Sequence, residues 1–186
     1  MDVFDGQKII PAVKEMKDFE RVLKREDAFF VVLEVHISQL ARMKKAAREA
    51  HKKMIIHADL VQGLKSDRYA AEFLSQTIKP AGIISTRGDM LRIAKKNNIM
   101  AIQRMFLLDT IALHTSYQLA ETVGPDVIEL LPGIIPSYIR KVHEETEIDV
   151  IAGGLIETDN DVRQAIEGGA RAVTTSRQDL WEAFRT

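Results

Sequence analysis

The sequence predicts an α/β fold, a compact TIM-like (β/α)8 barrel forming one domain over residues 1–186. Three observations predict it. Eight short apolar runs centre near residues 10, 31, 56, 83, 101, 128, 151 and 173, so they recur every 18–27 residues. Most of the runs do not alternate, which suits parallel strands buried on both faces. Amphipathic stretches separate them, giving the strand–helix rhythm of a barrel. The chain is shorter than the usual barrel of about 250 residues, which leaves little room for a grafted lid or a second domain. An open doubly wound sheet is the competing fold. Its Gly-x-Gly-x-x-Gly fingerprint is absent, as is a phosphate loop ending Gly-Lys-Ser/Thr.

In chain order the strands are read at 9–13, 29–33, 54–56, 82–84, 99–102, 127–131, 150–152 and 172–174. The first clear helix is read over 38–53, where Leu40, Met43, Ala47 and Ala50 recur at helical spacing. A second, over 67–78, opens at Ser66 or Asp67, and a third, over 110–123, follows Asp109; all three are N-cap types. Thr158-Asp159-Asn160-Asp161 resembles a capping box with Asp in place of Glu, and that helix closes at Gly168-Gly169. Ser176 opens the last helix, which sends Trp181 and Phe184 to the core. Met43, Met54, Met90, Met100 and Met105 fall in apolar patterns and read as core filler. His51 and His143 fall on helices, and His36 and His114 near helix starts. All four read as surface or capping residues.

Composition narrows the function. The chain has no cysteine, which excludes disulfides, thiolate metal sites and cysteine nucleophiles. No apolar run approaches the roughly 18 residues of a membrane span. The acidic start, Met1-Asp2-Val3-Phe4-Asp5, lacks a signal-peptide core. A cytoplasmic protein is expected. The formal net charge is −1, which argues against a nucleic-acid partner until it is divided. Residues 1–104 hold 20 Lys/Arg and 13 Asp/Glu, a net of +7; residues 105–186 hold 6 and 14, a net of −8.

Functional residues of a barrel lie at the C-terminal ends of its strands. That position holds Glu34, His57 with Asp59, Ser85 with Thr86, Gln103 with Arg104, Glu129, Gly153 with Gly154, and Thr174-Thr175-Ser176. Convergent polar groups above an apolar core suit a small ligand. The last two units point to phosphate. Glycine lets backbone N–H groups approach an anion, and a helix start adds unpaired donors. Thr175, Ser176 and the nearby Arg177 would complete the cradle. No lysine is read at a strand end, with Lys65 the nearest exception, which weakens a Schiff-base aldolase. No metal site is expected, because His57 and Asp59 have no marked further ligands.

One helix stands apart. Residues 36–53 carry Arg42, Lys44, Lys45, Arg48, Lys52 and Lys53 against the single acid Glu49. Like charges at four-residue spacing repel, so this face does not serve helix stability. It suits a phosphate backbone. Arg92, Lys95 and Lys96 add a second basic helix. There is no aromatic interleaving for base stacking.

Several stretches together carry a family resemblance. They are Pro11-Ala12-Val13, His57-Ala58-Asp59-Leu60-Val61-Gln62-Gly63-Leu64, Lys79-Pro80-Ala81-Gly82-Ile83-Ile84-Ser85-Thr86 and Gln103-Arg104-Met105-Phe106-Leu107-Leu108-Asp109. Glu129-Leu130-Leu131-Pro132-Gly133, Ile151-Ala152-Gly153-Gly154-Leu155-Ile156 and Thr174-Thr175-Ser176 complete the set. Over roughly residues 9–181 the chain resembles the bacterial glycerol-3-phosphate-responsive antiterminators. The resemblance implies a non-enzymatic barrel that binds sn-glycerol 3-phosphate. It also implies action on the leader mRNA of glycerol-utilisation genes, preventing premature termination. Gly153, Gly154, Thr175 and Ser176 would then hold the phosphate. Glu34, His57, Asp59, Arg104 and Glu129 would surround the glycerol moiety. Ala58 departs from the family's usual Ile before the Asp. The basic helix is the candidate RNA surface by charge alone, and a homo-oligomer would present two of them. The alternative is a barrel isomerase, epimerase or lyase acting on a small phosphorylated sugar.

Overall fold

The computed structural model describes residues 3–184 of the 186. Eight parallel strands pair in chain order, and β8 closes on β1. They are β1 (Ile9–Val13), β2 (Phe29–Val32), β3 (Lys53–His57), β4 (Gly82–Ser85), β5 (Met100–Phe106), β6 (Val127–Leu131), β7 (Asp149–Gly153) and β8 (Val173–Thr175). The helices between them are α1 (Met16–Leu23), α2 (Leu40–Glu49), α3 (Arg68–Glu72), α4 (Gly88–Lys96), α5 (Thr110–Val123), α6 (Pro136–Thr146), α7 (Asp159–Glu167) and α8 (Gln178–Ala183). A π-helical stretch, Phe73–Ile78, continues α3. Every strand lies where the apolar runs place it.

The capping chemistry matches as well. Asp67 accepts from Ala70 N at 3.0 Å, and Asp109 from Ala112 N at 2.7 Å. Thr158 and Asp161 form the reciprocal box. Strand β5 runs on to Phe106 rather than ending at 102, and two helix boundaries also differ from the sequence reading. Helix α2 ends at Glu49, not 53, because His51 turns left-handed (φ 56°) and Lys53 already pairs with Phe29 in the sheet. The last helix is capped at Arg177, one residue beyond Ser176.

Strand alternation sets the interior. Side chains two apart share a face, so one layer holds Ile10, Val31, Ile55, Ile84, Ile102, Val127, Ile151 and Ala172. The residues on the other face pack under the helices, with Met43, Met54, Met90, Met105 and Trp181 buried there and Phe184 against its edge. Met100 is only half-buried.

The N-terminal end of the barrel is sealed by the segment before β1. Phe4 enters the interior and meets the Phe29 ring edge-on at 5.3 Å. Buried Gln7 donates to Ile9 O (2.7 Å) and Phe29 O (2.8 Å) and accepts from Phe29 N (2.9 Å). The opposite end is left for the site.

Candidate functional site at the barrel mouth

Two residues above that apolar layer, the same alternation brings His57, Arg104, Glu129, Gly153 and Thr174 to the inner face. Glu129 is 5% exposed. Its Oε1 accepts from Thr174 Oγ1 at 2.8 Å, and its Oε2 lies 3.6 Å from Arg104 Nε without a hydrogen bond. Burial raises the Glu129 carboxyl above its ordinary range, against the opposing pull of Arg104 and the Thr174 hydroxyl. Arg104 also bonds His57 Nε2 through its guanidinium. Arginine can only donate, so Nε2 accepts and the His57 proton sits on Nδ1. Burial, then Arg104, lowers the His57 pKa to about 4. His57 is therefore neutral at pH 7.

Gly153 has a steric reason. A Cβ there would come 2.5 Å from Thr174 Oγ1 and 3.1 Å from Glu129 Oε1. Gly133 is locked against it, donating to Gly153 O at 2.6 Å. Gly154 adopts φ 73°, where a side chain would also press on Leu131.

Above these residues opens a hollow of about 360 Å3. Of the predicted ligand residues, Arg104, Glu129, Gly154, Thr175 and Ser176 line it. Gly153 lies beneath, and His57 stands behind Arg104. Asp59 has another job. Its carboxylate accepts from Ser85 Oγ (2.6 Å), Thr86 N (2.7 Å) and Thr86 Oγ1 (3.0 Å), which ties the loop after β3 to the end of β4. Glu34 is exposed, two residues past β2, and is not among the residues around the hollow. Gln103 points outward, donating to Ser116 O on α5 at 2.8 Å.

The hollow also shows what the sequence reading missed. Lys14 follows β1 directly and lines it, so a lysine does stand at a strand end. The hydroxyl that reaches Glu129 is that of Thr174. Thr175 instead turns its Oγ1 to accept from Arg177 N at 3.2 Å. Counting in twos from Ala172 would have separated the pair. Arg177 lines the same rim and pairs with Asp179 at 2.7 Å.

The basic helix is shorter than the sequence suggested. Arg42, Lys45 and Arg48 are exposed on α2, and Lys44 is half-buried. Lys52 and Lys53 lie beyond the helix and contact the segment before β2 and the segment before β1. Lys52 Nζ donates to the carbonyls of Arg25 and Asp27. Lys53 pairs with Asp5 at 2.7 Å and covers the Phe29 ring. His36 caps the turn before α2, accepting from Ser38 N at 3.3 Å. His51 is exposed after α2, and His143 on α6 bonds Ile148 O at 2.8 Å. Among the described residues, no three His, Asp or Glu side chains gather as a metal site, and no helix is long and apolar enough to cross a membrane.

The fold is a closed parallel barrel with a polar, partly unsatisfied mouth. The family model for the glycerol-3-phosphate responsive antiterminators matches residues 9–181, and the chain belongs to that family. It is 49% identical to the glycerol uptake operon antiterminator regulatory protein of Listeria monocytogenes, with a TM-score of 0.94 and 97% of each chain covered. A glycerol uptake operon antiterminator-related protein of Thermotoga maritima shares 31% identity and a TM-score of 0.79, over 95% of this chain and 98% of that one. The uncharacterized protein YgcP of Escherichia coli is 32% identical over 173 residues, 93% of this chain and 91% of the relative.

Proposed function

We propose that the mouth binds sn-glycerol 3-phosphate and that the liganded protein binds leader mRNA in the cytoplasm to cause antitermination. The observation that carries the ligand half is the buried pair of unsatisfied atoms, Glu129 Oε2 and Arg104 Nε, at the edge of the hollow. The two face each other as an ion pair at 3.6 Å, but a buried polar atom without a hydrogen bond is costly. A ligand hydroxyl that donates to Glu129, and a ligand oxygen that accepts from Arg104, would relieve both. The phosphate sits toward Gly154 and Ser176, where Lys14 and Arg177 supply positive charge. Gly153 leaves room for Thr174 to hold Glu129. His57 orients Arg104, and Asp59 braces the rim without touching ligand.

The RNA half rests on charge. Arg42, Lys44, Lys45 and Arg48 form the candidate surface, and Lys52 and Lys53 leave it. Glu129→Gln keeps the Thr174 contact but removes the carboxylate. It should weaken glycerol 3-phosphate at least tenfold by calorimetric titration, with unchanged helicity; unaltered affinity would place the ligand elsewhere. Lys45→Glu with Arg48→Glu should weaken leader RNA at least tenfold and flatten its salt dependence, while leaving ligand affinity alone. RNA affinity that is equal with and without the ligand would sink ligand control.

The enzymatic reading keeps one supporting observation, Lys14 lining the same hollow as the raised Glu129 carboxyl. Turnover in a panel of phosphorylated sugars, lost in Lys14→Met, would favour a lyase or isomerase over the regulator.

A further inference from the structure

The longest helix carries the fewest charges. Of the 14 residues of α5, only Glu121 is Asp, Glu, Lys or Arg, with His114 exposed on the same helix, whereas α2 has five such charged residues in ten. An outer barrel helix normally turns a charged face to water. Here Ile111 is 79% exposed on that face. The neighbouring loops continue the pattern. Leu108 is 78% exposed and Leu155 64%, and Phe106, Ile134 and Tyr138 are about two-fifths exposed. Six of the eight exposed large apolar side chains among the described residues thus lie on three consecutive units.

They are held close together. Leu107 N donates to Leu131 O at 2.7 Å, and Gly133 N to Gly153 O at 2.6 Å, which joins the three loops. Leu108, Leu113, Ile135 and Tyr138 enclose a hollow of about 260 Å3. Phe106 and Leu155 face the barrel mouth, the first under the Arg104 guanidinium and the second lining the ligand hollow. At about 150–250 Å2 per large side chain, the other four leave on the order of 450 Å2 of apolar surface uncovered. That lies in the range for a monomer's largest patch, which is often functional, and is more than half of the roughly 800 Å2 per partner of a stable interface.

Charge decides the occupant. Residues 105–186 are net negative, so this side repels a polyanion. Within the patch itself, residues 105–120 and 130–139 contain one formal charge, Asp109. Charge depletion with exposed aromatics is the composition of an interface core. Asp109 and Lys141 flank the same hollow. A two-fold interface is self-complementary, so each copy offers the other the same apolar patch with one acid and one base at its edge. We propose that α5, with the loops after β5 and β6, is a two-fold interface between two copies of this chain. The inference does not depend on the ligand or the RNA.

Sedimentation equilibrium of the full chain, from about 1 μM upward, tests it. The wild type should be a dimer. Leu108→Glu and Ile111→Glu should each raise the dimer dissociation constant at least tenfold. Tyr69→Glu, at an equally exposed position outside the patch, should leave it unchanged. All three positions are exposed, and circular dichroism checks that each variant folds. A wild type that stays monomeric overturns the proposal, as does a dimer that survives both patch variants or falls apart equally in Tyr69→Glu. Loss of RNA binding from a monomeric Ile111→Glu protein, with the wild type also monomeric, would assign the patch to nucleic acid instead.

Discussion

At the N-terminal end of the barrel, Gln7 spends its whole amide on three backbone bonds, and Phe4 fills the space beneath. At the C-terminal end, Glu129 Oε2, Arg104 Nε and His57 Nδ1 are equally buried and lack hydrogen-bond partners. Strand alternation builds the open end and the segment before β1 closes the other, and the two differ in how completely their polar atoms are satisfied. A satisfied buried amide contributes stability, whereas an unsatisfied charged group gives some up. The sealed end therefore secures the fold, and the open end holds unmade hydrogen bonds ready for a ligand.

Breaking the sealed end should give the largest effect. Phe4→Ala should cost about 3–5 kcal/mol of unfolding free energy, as large aromatic truncations do. Ligand affinity per folded molecule should not change. A matching loss of affinity in calorimetry would mean that the two ends are not separable.

The open end should reveal itself through pH. His57 titrates near pH 4 when folded and near 6.5 when unfolded. Between these values the unfolded chain binds more protons, so stability falls as pH falls, by on the order of 3 kcal/mol in all. Glu129, raised by burial, acts in the opposite sense, because the folded chain holds its proton more tightly. Subtracting the urea-unfolding profile of His57→Gln from that of the wild type isolates the histidine. Superimposable profiles between pH 4 and 6.5 would refute the assignment.

A smaller change should sharpen the contrast. Gly153→Ala pushes a methyl against Thr174 and Glu129. It should cost about 1–3 kcal/mol and also reduce ligand affinity, a double penalty that Phe4→Ala lacks. Thermal unfolding and titration on the same sample check both.

The strand positions were legible because eight apolar runs needed only to be counted. The helix caps were legible because Asp67, Asp109 and Thr158 act on backbone only three residues away. Lys52 and Lys53 were placed on the helix because charge spacing cannot see that His51 turns left-handed beyond its end. Asp59 was read as a ligand contact because its partners, Ser85 and Thr86, lie 26 and 27 residues on. Thr174 and Thr175 are adjacent in sequence, and only the side of the strand each one takes separates their tasks. Lys14 was passed over because a lysine just past an apolar run reads as the start of the next helix.

Closing the strands in chain order turns position along the sequence into angle around the barrel axis. The net +7 of residues 1–104 therefore gathers mostly on the side of α1–α4, and the net −8 of residues 105–186 mostly on the side of α5–α8. A molecule charged in this way carries a permanent electric moment across its axis. With the leader RNA proposed above as the polyanion, that moment would turn α2 toward the partner and α5 away before contact. The benefit is kinetic. Orientation in flight raises the rate of productive encounter and fades with added salt, without any change in the contacts finally made.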